Sequence, residues 1–138
     1  MQQIDHIGIA VKSLVTAVPL FEKLLNSPCY KTEVISSENV TTAFLKTGET
    51  KIELFESSNE DSVIARYIAK RGEGVHHIAF EVANIEAEME RLVQQGFTLL
   101  NDKAKPGADN KLVCFLHPKD THGILIELCQ SAFLPPKE

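Results

Sequence analysis

Four residues of this chain have the types and the spacing to hold a divalent cation: His6 and Glu53 in the first half, His77 and Glu127 in the second. Glu53 follows His6 by 47 residues, and Glu127 follows His77 by 50. Imidazole nitrogens and carboxylate oxygens suit Zn2+, Mn2+, Co2+ or Ni2+ with positions left for water or substrate, and ligand type alone does not choose among them. One such histidine in a strand reads more readily as a hydrogen-bonded structural residue; the same pair in both halves reverses that reading. Each glutamate lies between apolar neighbours, Ile52 and Leu54 or Ile126 and Leu128. An unpaired carboxylate buried there would be costly, so something positive should meet each one. The four are expected to share one ion.

Other chemistry is thinly represented. His76 points to the opposite strand face from His77 and reads as structural, while His117 and His122, near Pro118 and Gly123, read as loop or supporting residues. The chain has no G-x-S-x-G, G-x-x-x-x-G-K-[ST] or G-x-G-x-x-G motif, and Gly72-Glu73-Gly74 reads as an ordinary flexible turn. Cys29, Cys114 and Cys129 form no C-x-x-C pair, which argues against a disulfide framework or a thiolate zinc site and fits a reducing cytoplasm. A net charge of −5 disfavours nucleic acid as a partner. Lys103, Lys105, Lys111, Lys119 and the Lys70-Arg71 pair read as solvated surface or, for some, as holders of an anionic ligand tail. Apolar runs fall far short of the roughly 20 residues that cross a bilayer, and no targeting segment opens the chain, so a soluble protein is expected.

The elements that must position the four residues are written twice. Asp5-His6-Ile7-Gly8-Ile9-Ala10-Val11 is matched by His76-His77-Ile78-Ala79-Phe80-Glu81-Val82, and Lys51-Ile52-Glu53-Leu54-Phe55 by Leu125-Ile126-Glu127-Leu128-Cys129. Between the matched strands, helical patterns run over Leu14 to Leu25 and Ile85 to Gln95, the second with Asn84 as N-cap, Gly96 just past its end, and Ile85, Met89, Leu92 and Val93 on one face. Pro19 leaves the start of the first helix open between Leu14 and Thr16. Extended segments are expected at 31–35, 40–45 and 50–56, and again at 98–100, 111–116 and 124–129. Each half is thus β-α-β-β-β, one module over residues 3–57 and the other over 75–130, in a single domain of residues 1–138. A short helix around Val63, Ile64, Tyr67 and Ile68 connects them, and the tail from Ser131, with Pro135-Pro136, reads as loose. Within the first strand, alternation sends Ile7, Ile9 and Val11 to one face and His6, Gly8 and Ala10 to the other, where small neighbours suit a cavity wall.

These residues resemble the vicinal oxygen chelate superfamily, which includes glyoxalase I, extradiol dioxygenases and antibiotic-resistance proteins. More narrowly, the two histidine strands, Lys51-Ile52-Glu53-Leu54, Pro106-Gly107-Ala108 and Phe115-Leu116-His117-Pro118-Lys119-Asp120 are similar to the methylmalonyl-CoA epimerases. The resemblance implies an α+β fold in which two βαβββ modules form a curved mixed sheet around one divalent metal ion, usually in a homodimer. It implies an acyl-CoA substrate, epimerised through a metal-stabilised enediolate, with His6, Glu53, His77 and Glu127 as ligands and Glu127 and Glu53 as acid/base groups. Some epimerases carry a further candidate base in the strand before that of Glu53, where this chain has Thr41-Thr42. Threonine cannot serve, so the role falls to Glu53, or to Glu38 from the preceding turn, or the substrate differs. A glyoxalase I-type lyase would use the same four ligands; a metal-free binding or resistance protein on this scaffold would typically lack them.

Overall fold

The structure, a computed structural model, describes residues 1–131. In chain order the elements are β1 (Gln3–Ala10), α1 (Leu14–Leu25), β2 (Lys31–Ile35), β3 (Val40–Thr47), β4 (Thr50–Ser57), α2 (Val63–Arg71), β5 (Gly74–Glu81), α3 (Ile85–Gln94), β6 (Lys105–Gly107), β7 (Lys111–Leu116) and β8 (Ile126–Ser131). The class is α+β, with two βαβββ modules joined by α2. The chain divides into two compact units, His6–His76 and Met1–Asp5 with the chain from His77 onward, so that β1 and β5 each contribute residues to both.

In the His6–His76 unit the strands lie in the order β2-β3-β4-β1. β2/β3 and β3/β4 are antiparallel, whereas β1 runs parallel to β4 with Gly8 opposite Glu53. A parallel partner for β1 is possible because a helix and two strands intervene, giving the chain room to return. α1 covers one face: Leu14, Ala17, Val18, Phe21 and Leu25 pack on Val11, Ala43, Leu45, Ile52 and Leu54, joined by Ile7 and Ile9. The helix starts at Leu14 and contains Pro19. Pro19 lies on the exposed face, where water can satisfy the Val15 carbonyl that the missing N–H leaves without its helical partner. On the other face Ala10, Val40 and Phe55 are covered by Ile64, Tyr67 and Ile68 of α2. Ala10 is therefore packed core and not a cavity wall, and Val63 is 65% exposed rather than part of the packing face of α2.

In the other unit the order is β5-β8-β7-β6, again with a parallel first/last pair, Ala79 opposite Glu127. α3 packs Ile85, Met89 and Leu92 on Val82, Cys114, Leu116 and Leu128. Its end is fixed by a Schellman motif: Phe97 N–H donates to Leu92 O at 3.0 Å and Gly96 N–H to Val93 O at 3.0 Å, with Gly96 at φ +96°. Val93 turns away from the core and is 53% exposed, because that tight closure leaves Leu92 and Phe97 as the apolar pair.

Two expected strands differ. Thr98–Leu100 makes only an isolated bridge, Leu99 to Leu116. The second strand of this module is instead β6, which carries Pro106 where no N–H is needed on the outer side of an edge strand. A Cβ on Gly107 would stand 2.8 Å from Val113 Cγ1, so the close pairing of β6 with β7 requires glycine there. The last strand runs Ile126–Ser131, making Ser131 part of β8; Pro135-Pro136 lies outside the described residues. Among the described residues no helix is long and apolar enough to cross a membrane.

Candidate active site

In the His6–His76 unit, the β1/β4 register brings the first predicted pair together. His6 Nδ1 lies 3.1 Å from Glu53 Oε2, with both side chains 6% exposed. In the other unit His77 Nε2 lies 3.3 Å from Glu127 Oε1, at 11% and 7% exposure. The matching extends beyond the pairs. Each glutamate has a small residue beside it on the parallel side, Gly8 or Ala79, and a phenylalanine on the antiparallel side, Phe44 or Phe115. A lysine ammonium then stands over each ring: Lys31 Nζ is 4.7 Å from the Phe44 centroid and Lys105 Nζ 5.8 Å from that of Phe115. Small residue, glutamate, phenylalanine and lysine thus form a row in each unit, with a histidine next to the glutamate.

The last strand of each module is also tied to its helix. Leu14 N–H, the first of α1, donates to Glu56 Oε1 at 2.7 Å, and Ile85 N–H, the first of α3, donates to Gln130 Oε1 at 2.7 Å. Both acceptors sit three residues after the site glutamate. The preceding residue is held by backbone, through Val11 N–H to Phe55 O at 3.0 Å and Val82 N–H to Cys129 O at 2.9 Å.

His76 packs edge-on against Tyr67 and Phe55, with centroids 4.8 and 5.3 Å away, and burial pulls its pKa down to about 4. His117 Nδ1 accepts the Lys119 N–H at 3.0 Å, capping a turn of 3-10 helix over Pro118–Asp120, and His122 stands at φ +56° in the following loop. Glu73 is no free turn residue, since its carboxylate accepts the Lys12 N–H at 2.8 Å. Burial holds the Cys114 thiol up at about 11 and pushes that of Cys129 higher still, helped by the carboxylates of Asp5 and Glu127; neither is a thiolate at neutral pH.

Lys111, read from sequence as surface, is a correction. Its side chain is 13% exposed, and Nζ lies 3.5 Å from Asp5 Oδ1 on a side chain only 5% exposed. The neighbourhood of Asp5 to His6 was the available signal. Phe115 occupies in β7 the place that Phe44 occupies in β3, and the alignment of these two strands is the sequence signal that sets it next to Glu127.

The donor chemistry of both pairs fits a divalent ion: buried imidazole nitrogens beside buried carboxylate oxygens. The glyoxalase/bleomycin resistance protein/dioxygenase superfamily model matches residues 5–115. The chain is 35% identical to human mitochondrial methylmalonyl-CoA epimerase over 130 residues, covering 94% of this chain and 74% of that one. It is 37% identical to the ethylmalonyl-CoA/methylmalonyl-CoA epimerase of Cereibacter sphaeroides, covering 93% and 97%. Among solved structures it is similar to Streptomyces coelicolor methylmalonyl-CoA epimerase in complex with 2-nitronate-propionyl-CoA, at 37% identity and TM-score 0.89 over 96% of this chain and 99% of that one. A hypothetical protein from Bacillus halodurans matches at 41% identity and TM-score 0.92, covering 98% of both. The chain belongs to the glyoxalase/bleomycin resistance protein/dioxygenase superfamily and, within it, to the methylmalonyl-CoA epimerase family.

Proposed function

We propose that this protein is a metal-dependent epimerase that interconverts (R)- and (S)-methylmalonyl-CoA by removing and returning the proton at C2. The observation that carries the reading is the duplicated His–Glu pair in matching strand positions, in a chain whose curated relatives include methylmalonyl-CoA epimerases. His6, His77, Glu127 and Glu53 are assigned as ligands of one Co2+, Zn2+, Mn2+ or Ni2+ ion shared by both modules of a single domain. When bound, such an ion supplies Lewis-acid stabilisation for negative charge developing on the thioester oxygen.

The remaining chemistry belongs to the side chains. Glu127 takes the C2 proton on one face and Glu53 returns one on the other, each transfer contributing on the order of 10²–10⁴ in rate. Phe44 and Phe115 beside them exclude water from the carboxylates. One observation favours a second reading of the second base. Glu38 stands exposed in the 3-10 turn Ser36–Glu38 leading into β3, the strand in which some epimerases carry a further candidate base. The reading also makes the protein a cytoplasmic homodimer, which sedimentation at twice the chain mass checks.

The test is solvent deuterium incorporation at C2 of methylmalonyl-CoA by protein loaded with Co2+. Incorporation is expected, with one ion per chain, and it should vanish in folded His77→Ala and Glu127→Ala variants. Turnover of a glutathione hemithioacetal alone would make the protein a glyoxalase I-type lyase, and failure to bind any divalent ion would make it a binding or sequestration protein. Glu53→Gln should slow epimerisation by about 10²-fold or more, while exchange of the epimer whose C2 proton faces Glu127 continues. If Glu38→Gln slows epimerisation with its metal retained while Glu53→Gln does not, the second base is Glu38.

A further inference from the structure

The two rows that flank the site glutamates match in residue type but not in exposure. Phe44, next to Glu53, is fully buried, enclosed by Tyr30 at 6.2 Å between centroids and by the Lys31 ammonium. Phe115, next to Glu127, is only half-buried. Its ring meets the His77 ring edge-on, with centroids 6.1 Å apart and planes at 87°. The Lys105 ammonium, 5.8 Å from its centroid, holds the ring from the direction of the edge strand. A buried ring can only fill space, whereas a half-buried ring beside a carboxylate and an imidazole also presents a surface to a ligand.

We propose that Phe115 determines specificity: it is the wall against which the substituent on the deprotonated carbon packs, and it sets the site for a small aliphatic group such as methyl. The inference rests on the proposed role of Glu127 in proton transfer. A carbon that surrenders its proton to Glu127 must come within about 3–3.5 Å of the carboxylate. Phe115 stands one strand over, roughly 4.8 Å away in the hydrogen-bonding direction and on the same face. A group one bond out from that carbon therefore reaches van der Waals contact with the ring. A longer alkyl group meets an aromatic plane that His77 and Lys105 keep from turning aside. Hydrophobic pockets discriminate one methylene by roughly 10- to 200-fold, which is the range in which such a wall can act.

The experiment compares kcat/KM for methylmalonyl-CoA and ethylmalonyl-CoA in the wild type, Phe115→Leu and Phe115→Ala proteins, each loaded with Co2+. Cobalt content, the visible Co2+ spectrum and circular dichroism are recorded alongside. Phe115→Ala should raise the ethyl-to-methyl ratio at least tenfold, and Phe115→Leu, which keeps most of the volume and is the safer variant for folding, by a smaller factor in the same direction. A ratio within twofold of wild type in both variants, with the fold and cobalt intact, would overturn the proposal. Wild-type protein that turns over neither thioester would instead remove the epimerase reading beneath it, a different result that the same assay separates.

Discussion

Strand alternation sends His76 to the opposite side of β5 from His77, among the rings of Tyr67 and Phe55. Burial there disfavours the imidazolium and lowers its pKa from 6.5 to about 4. The folded protein thus binds this proton less readily than the unfolded chain does. The stability it protects is whole above about pH 6.5 and is lost as pH falls toward 4, where folded His76 also becomes charged. The loss should be roughly 2–3 kcal/mol. Urea unfolding of metal-stripped protein at pH 7 and pH 4.5 is expected to show that decline in the wild type and a smaller one in His76→Leu; equal declines would assign it to other groups. The sequence distinguished His76 from His77 by parity alone. It could not reveal that Lys111 is drawn inward to Asp5, because an ion pair across 106 residues of chain leaves no periodic trace.

Each module hangs its helix on its last strand through one side chain, and the two helices depend on that bond unequally. Ser13 makes no side-chain cap on α1, leaving Glu56 to satisfy Leu14 N–H, whereas α3 also has Asn84, whose side chain accepts the Ala87 N–H at 3.1 Å. A carboxylate at a helix N-terminus gains from the macrodipole as well. Glu56→Leu should therefore cost about 1–2 kcal/mol and Gln130→Leu less, with Glu56→Gln retaining most of the stability. Chemical denaturation midpoints at constant m-value would measure the order, and a larger loss for Gln130→Leu would contradict it. Elements with strong local signals were legible: α1, β2 and β7 run over the residues that periodicity and β-propensity indicate. β6 was not, since Lys105-Pro106-Gly107 has no strand propensity and becomes a strand only because Gly107 allows β7 to approach. Of the site, the His–Glu pairs were legible through repetition. Their phenylalanine and lysine neighbours were not, because they depend on cross-strand register that only the folded sheets define.

At the scale of the whole molecule, the chain carries a built-in way to ask whether one ion serves both modules. It has no tryptophan and two tyrosines, Tyr30 and Tyr67, both within the His6–His76 unit. Tyrosine fluorescence therefore reports unfolding of that unit alone, while far-ultraviolet circular dichroism reports helices and strands of both. A ligand that binds only the folded form raises stability by RT ln(1 + [L]/Kd), about 2.7 kcal/mol at a hundredfold excess over Kd. An ion held by His6 and Glu53 together with His77 and Glu127 must pass that stabilisation to both units, so adding Co2+ should raise the fluorescence and dichroism midpoints together and leave them coincident. Where stripped protein shows the two midpoints apart, an ion bound by His77 and Glu127 alone would raise only the dichroism midpoint; where they already coincide, the His6→Ala variant decides. His6→Ala sharpens the contrast, because the variant loses the joint shift if the ion is shared and keeps the dichroism shift if it is not.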